Sequence, residues 1–233
     1  MNAMAGGGSF VTLPALVSVG VPSVMANATS TVALYPGGAA SAWVYRETGR
    51  EVCGVPLRPM LVATLLGGLA GALLLLWTPS TVFDRVLPWL LLGATLALAG
   101  GPRLGPWLRA RVRVGLVGVV AMQFLLGIYG GYFGGAVGLM MVALWGLLDG
   151  ADIGALHAPR TLLVTVANTV AVLCFALAGA VRWPDALLLS LGALAGGFGG
   201  ARLGRRLPSN VIRIATVLLT ALVTARFFAR VYR

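Results

Sequence analysis

No charged residue occurs between positions 1 and 45, and further uncharged runs cover 59–83, 86–102, 114–148, 161–181 and 186–201. Most of these runs are long enough to cross a hydrocarbon core of about 30 Å, which takes roughly 20 helical residues. With 59% hydrophobic and 10% charged residues among 233, the chain departs far from the roughly 25% charged residues of soluble domains. Lipid pairs with no backbone N–H or C=O group, so only helices and closed barrels can span it. The alternating segments of about ten residues that mark a membrane barrel are missing. The expected fold class is therefore all-α, a polytopic bundle of transmembrane helices.

The net charge of +11 comes from 17 arginines and no lysine. These arginines sit in the gaps between apolar runs, which fits basic cytoplasmic loops better than a nucleic-acid footprint, and no nucleic-acid partner is expected. On this basis segments 46–58 and 103–113 lie on the cytoplasmic side of a cytoplasmic (inner) membrane that the chain crosses several times. Cys53 and Cys174 share no metal-like spacing, and neither a metal nor a cofactor is expected. The first charge is Arg46, so the apolar N-terminal stretch lacks the basic region of a cleaved signal peptide.

The apolar segments read as helices over 9–19, 24–45, 59–77 and 86–100, an Arg-rich connection over 103–113, then 114–148, 157–180, 184–203 and 210–228. The halves align by feature. Gly6, Gly7, Gly8, Ser9 and Phe10 fall on residues 136–140 at a shift of 130, Thr29 and Ser30 on Arg160 and Thr161 at 131, and Gly67 and Gly71 on Gly196 and Gly200 at 129. This order of features points to a tandem duplication of the kind transporters carry. The division is a first repeat over 1–101, a cytoplasmic Arg-rich loop over 102–113 and a second repeat over 114–233. Nothing in the first half matches 114–130, so its opening arm is missing. Either the translation start is placed too late, the favoured reading, or the first element is shortened.

As one helix the run 114–148 would extend about 52 Å, too long for the bilayer, and a break is expected among Gly130, Gly131, Gly134, Gly135 and Gly138. It leaves two models open, a kinked span and a re-entrant hairpin. A full crossing divides the arginines 11 to 6 between the two sides, a re-entrant one 12 to 5.

Unwound backbone inside a membrane has to face protein, water or substrate, and half-helix N-termini carry a positive dipole end that suits an anion. Gly6, Gly7, Gly8 and Ser9 in the first half, and Gly134, Gly135 and Gly138 in the second, are the leading candidates for substrate binding. Close packing of helices through small residues is the plain alternative, above all for the GxxxG pairs Gly67 with Gly71, Gly127 with Gly131 and Gly196 with Gly200. Asn27, Thr29 and Ser30, opposite Arg160 and Thr161 in the other half, mark polar helix beginnings whose donors suit an oxyanion. Gln123 and Asn168 add amide donors. The alternatives are ordinary capping for the hydroxyls and interfacial snorkelling for Arg160. Catalysis finds little support, because the six carboxylates all flank predicted spans, and no acid pair, zinc spacing or phosphate loop is present.

The stretch Ala5-Gly-Gly-Gly-Ser-Phe-Val-Thr-Leu-Pro14, followed by Gly20-Val-Pro22, Ala28-Thr-Ser-Thr31 and Pro36-Gly-Gly-Ala-Ala-Ser-Ala, resembles the sulfite exporter TauE/SafE family. Gly134-Gly-Ala-Val-Gly138, Pro159-Arg-Thr161 and residues 196–204 resemble its second repeat, so the likeness covers nearly the whole chain. The resemblance implies a permease of roughly eight helical elements that moves sulfite, organosulfonates or other small organic anions, coupled to the proton or membrane potential, with no bound cofactor. The missing opening arm and Arg160, where a small or neutral residue is expected, depart from that pattern. The expected partners are a small anionic substrate and the lipid bilayer, with association into a homo-oligomer left open. The competing reading is a non-transporting accessory or assembly subunit whose glycines serve helix packing alone.

Overall fold

The computed structural model of the protein describes residues 8–45, 51–109, 115–135, 137–149, 156–204 and 209–232. Apart from one short ribbon, these residues form helices: α1 (Ser9–Ser18), α2 (Ser23–Tyr45), α3 (Leu57–Trp77), α4 (Ser80–Arg109), α5 (Leu116–Phe133), α6 (Val137–Asp149), α7 (His157–Leu177), α8 (Trp183–Gly204) and α9 (Ser209–Tyr232). Among the described residues, α3, α5, the Ala158–Leu177 part of α7 and the Ile214–Tyr232 part of α9 are long and apolar enough to cross a membrane. α4 runs on to Arg109, well into the stretch expected to be a connection. Arginine is a good helix former, so a basic stretch does not by itself end the helix.

The ribbon pairs β1 (Glu51–Val52) with β2 (Val55–Pro56) in antiparallel register. Cys53 and Gly54 both have positive φ, 53° and 72°, as a two-residue hairpin turn of type I′ requires. This ribbon was not legible as a strand pair, because only two residues on each side take part.

The long apolar run is divided. α5 ends at Phe133, and Gly134 takes φ +70° while its N–H bonds to the Gly130 carbonyl at 2.7 Å. The chain then turns back. Gln123 on α5 donates to the sulfur of Met141 on α6 at 3.9 Å, whereas 18 residues of unbroken helix would separate the two by about 27 Å. The Cys53 thiol donates to the Trp145 carbonyl at 3.8 Å, so the C-terminal part of α6 lies beside the ribbon. Val119, near the start of α5, belongs to the same apolar cluster as Trp145, Val52 and Val55. Of the two models left open, the re-entrant hairpin is the one observed.

These contacts define two sides. The ribbon side holds the end of α2, the starts of α3, α5 and α7 and the end of α6. The opposite side holds the α3–α4 turn, where Ser23 at the start of α2 donates to the Ser80 carbonyl at 3.3 Å. It also holds the C-terminal end of α9, whose Tyr232 hydroxyl donates to the Arg85 carbonyl at 3.3 Å. α1 runs from Ser9 toward that opposite side, where Leu16, Val17 and Val21 pack with Leu75 and Phe83. Thus α2 and α7 run in opposite directions, and so do α3 and α8, and α4 and α9.

α3 and α5 pack most closely of all. A methyl group added at Gly67 or Gly71 would overlap the Phe124 or Ile128 carbonyl oxygen, and one at Gly131 would overlap the Gly68 carbonyl. Here the glycines let two backbones touch. At Gly196 an added methyl would meet nothing within 4 Å. The opposite-side half of the molecule is filled by a cluster that includes Phe10, Phe83, Tyr132, Phe133 and Phe175.

Candidate functional site

The tips of two half-helices meet inside the bundle. α1 begins at Ser9 after an N-cap at Gly8, and α6 begins at Val137. A side chain at Gly135 would come within 3.0 Å of the Ser9 Cβ, and Phe10 sits edge-on to Phe133 with ring centroids 6.5 Å apart. α1 leaves this junction toward the opposite side and α6 toward the ribbon side, so their N-termini face one another.

Beside the junction lies a cavity of about 370 Å³, at the low end of the range of about 300–1,000 Å³ typical of ligand sites. Its walls come from five helices: Ser9 of α1, residues 31–41 of α2, Val137 and Gly138 of α6, residues 160–168 of α7, and Ser190, Ala193 and Leu194 of α8, with Gly134 at the tip. The lining segments of α2 and α7 place it at the middle of the bundle and toward the ribbon side. Beside the first turn of α7, the N-termini of α1 and α6 thus border one space. Each carries N–H groups without intrahelical acceptors and the positive end of the helix dipole.

Of the candidates named from sequence, Ser9, Gly134, Gly138, Arg160, Thr161 and Asn168 come together on this cavity. Arg160 supplies the charged group of the lining. A methyl at Gly138 would stand 3.2 Å from the Val164 Cγ2 and 3.4 Å from the Arg160 Cδ, so α6 packs closely against both α7 side chains there. The Asn168 Oδ1 is buried without a hydrogen-bond partner. Gly134 is confined by geometry as well as by φ, since an added methyl would stand 2.6 Å from the Thr31 Oγ1.

The other candidates lie elsewhere. Asn27 is buried, and its Nδ2 donates to the Tyr132 carbonyl at 3.0 Å, which holds the end of α5 just before the break. The Thr29 hydroxyl accepts the Arg182 N–H at 3.0 Å near the start of α8. Ser30 shares a hydrogen bond with Thr12 at 2.5 Å. Gln123 donates to the Thr64 hydroxyl at 2.7 Å between α5 and α3. Gly8 caps α1 and Gly135 lies beside Ser9, both next to the cavity rather than in its lining. Gly6 and Gly7 lie outside the described residues.

The sequence reading missed a stretch of α2. Pro36, Gly37 and Gly38 line the cavity in the middle of that helix, where proline removes one N–H and glycine loosens the turn. Neighbouring hydroxyls bond the carbonyls along this stretch: Ser190 donates to Ala33 at 3.0 Å, Ser41 to Gly37 at 2.9 Å and Thr165 to Gly38 at 3.2 Å. Pro-Gly-Gly inside an uncharged run was the signal that could have found it. Among the described residues, no group of three His, Cys, Asp or Glu residues is placed to hold a metal ion.

The sulfite exporter TauE/SafE family model matches residues 1–227. A probable membrane transporter protein of Escherichia coli, YfcA, is 30% identical over 230 residues, covering 97% of this chain and 84% of the relative. A probable membrane transporter protein of Haemophilus influenzae is 30% identical over 227 residues, covering 97% of this chain and 88% of the relative. One from a Sinorhizobium species is 26% identical over 229 residues, with coverage of 98% and 87%. No solved structure gives a significant match. A family match over nearly the whole chain, joined to helices apolar enough to span a bilayer, makes this protein a member of the sulfite exporter TauE/SafE family of membrane transporters.

Proposed function

We propose that the protein is a secondary transporter of small anions, sulfite, organosulfonates or related organic anions, and that it holds them in the cavity between α1, α2, α6, α7 and α8. The observation that carries this reading is the meeting of the α1 and α6 N-termini and Arg160 of α7 on one space of about 370 Å³. Helix N-termini offer an anion several donors and a favourable dipole without a strong base, and a guanidinium adds a fixed fork of N–H groups. The chemistry is that of a carrier rather than an enzyme.

The halves are proposed to be inverted repeats, which the opposed directions of α2 and α7, α3 and α8, and α4 and α9 support. The ribbon side is proposed to be cytoplasmic in an inner membrane. The re-entrant hairpin goes with the 12 to 5 division of arginines, and the larger share falls on that side. The accessory-subunit reading draws on the α3–α5 contact, where glycine serves packing. The glycines of the α5–α6 tip differ, because Gly134 and Gly138, though closely packed, also line the cavity.

Flux into proteoliposomes containing the purified chain tests the reading. Uptake of sulfite, short alkyl sulfonates or simple carboxylates above that of protein-free vesicles is expected. Failure of all three classes to move would overturn it.

A further inference from the structure

The cavity is lined by many hydroxyls, yet most of them have no proton to give. A hydroxyl carries one donor. Thr31 spends it on the Asn27 carbonyl at 2.9 Å, Ser41 on Gly37, Thr165 on Gly38, and Ser190 on Ala33 or Ala186. The wall built from α2 and α8 is thereby poor in donors, and what it presents between those hydroxyls is Leu34, Pro36, Ala40, Ala193 and Leu194. The donors stand on the other side, at the α1 and α6 tips and along α7, where Arg160 and the Asn168 amide lie among Val137, Val164 and the already bonded Thr165. The cavity has a head end and a tail wall.

We infer that the substrate is an anion with an unbranched apolar tail of a few carbons, its head held at the α1, α6 and α7 side and its tail against α2 and α8, and that Ala193 and Leu194 set the tail length. This rests on the anion-transport reading and narrows it. An inorganic oxyanion accepts hydrogen bonds on every oxygen and would lose solvation wherever it faced the α2–α8 wall. A bare sulfite would also leave much of the cavity to water, since 370 Å³ corresponds to about twelve water molecules at about 30 Å³ each. A short alkyl chain fills that space and gains the transfer free energy of each methylene it buries.

The test is a set of dissociation constants for the full chain in lipid nanodiscs, read by thermal stabilisation, for sulfite and for methane-, ethane-, propane- and butanesulfonate. Affinity is expected to rise about fourfold with each added methylene until the wall is reached, with sulfite weakest. Ala193→Leu, which fills part of the tail wall, is expected to shift the optimum to a shorter chain and to weaken butanesulfonate more than methanesulfonate. The wild-type series decides even if that variant does not fold. Equal affinity along the series, or sulfite binding as tightly as butanesulfonate, overturns the tail wall and leaves the anion site standing. No binding by any of the five overturns both.

Discussion

Arg160 is the charged residue of the cavity lining and the one on which the proposed anion site leans most, and its position follows from its neighbours. It lies in the first turn of α7, at the positive end of the helix dipole, and its stem packs against Gly138. Arg160→Gln removes the charge and keeps much of the length. It should weaken binding of a sulfonate anion by about tenfold or more in a thermal-stabilisation titration, as expected for the loss of a charge-assisted hydrogen bond. Transport unchanged by this substitution would place the arginine at the interface as a snorkelling residue. The polar stretch around Thr29 shows where reading residues one at a time reaches its limit. A hydroxyl near a helix start suits an oxyanion, a cap or an interhelical bond equally well, and only the neighbour decides. Thr29 meets the Arg182 N–H and Ser30 meets Thr12, both away from the cavity. Asn168 has an ordinary amide in sequence, and only the packing shows that the residue lines the cavity while its amide oxygen is buried without a partner.

Helices were legible wherever charge or proline punctuated the apolar runs, because hydrocarbon tolerates no other spanning structure for this pattern. The fate of 114–148 was not, since a kinked span and a returning hairpin have the same hydropathy. What separates them is tertiary: α6 lies back against α5 and reaches the ribbon through Trp145, which is almost wholly buried. The glycines likewise divide by what they touch. Gly71→Ala would press a methyl against the backbone of Ile128 and Tyr132 and should cost about 1–3 kcal/mol, as overpacking does. Gly192→Ala, in the interior of α8 with nothing within 4 Å, should instead stabilise by up to about 1 kcal/mol through helix propensity. Unfolding midpoints of the two variants in one lipid system check the opposed signs. If both lower the midpoint equally, the α3–α5 contact is not as tight as described.

At the scale of the molecule, the two sides are distinguishable by labelling. In a background carrying Cys53→Ser and Cys174→Ser, Val19→Cys lies at the exposed end of α1 on the opposite side and Glu51→Cys lies on the exposed edge of the ribbon. A membrane-impermeant maleimide should modify the first in intact cells and the second only after permeabilisation. The reverse pattern would invert the orientation. The opposed N-termini of α1 and α6 have an electrical consequence. Two positive dipole ends that face each other from the two sides of the membrane add their potentials at the junction, but their fields along the membrane normal cancel there. An anion held at that junction in the proposed site is favoured by both ends, and these two dipoles together give it no net push toward either compartment.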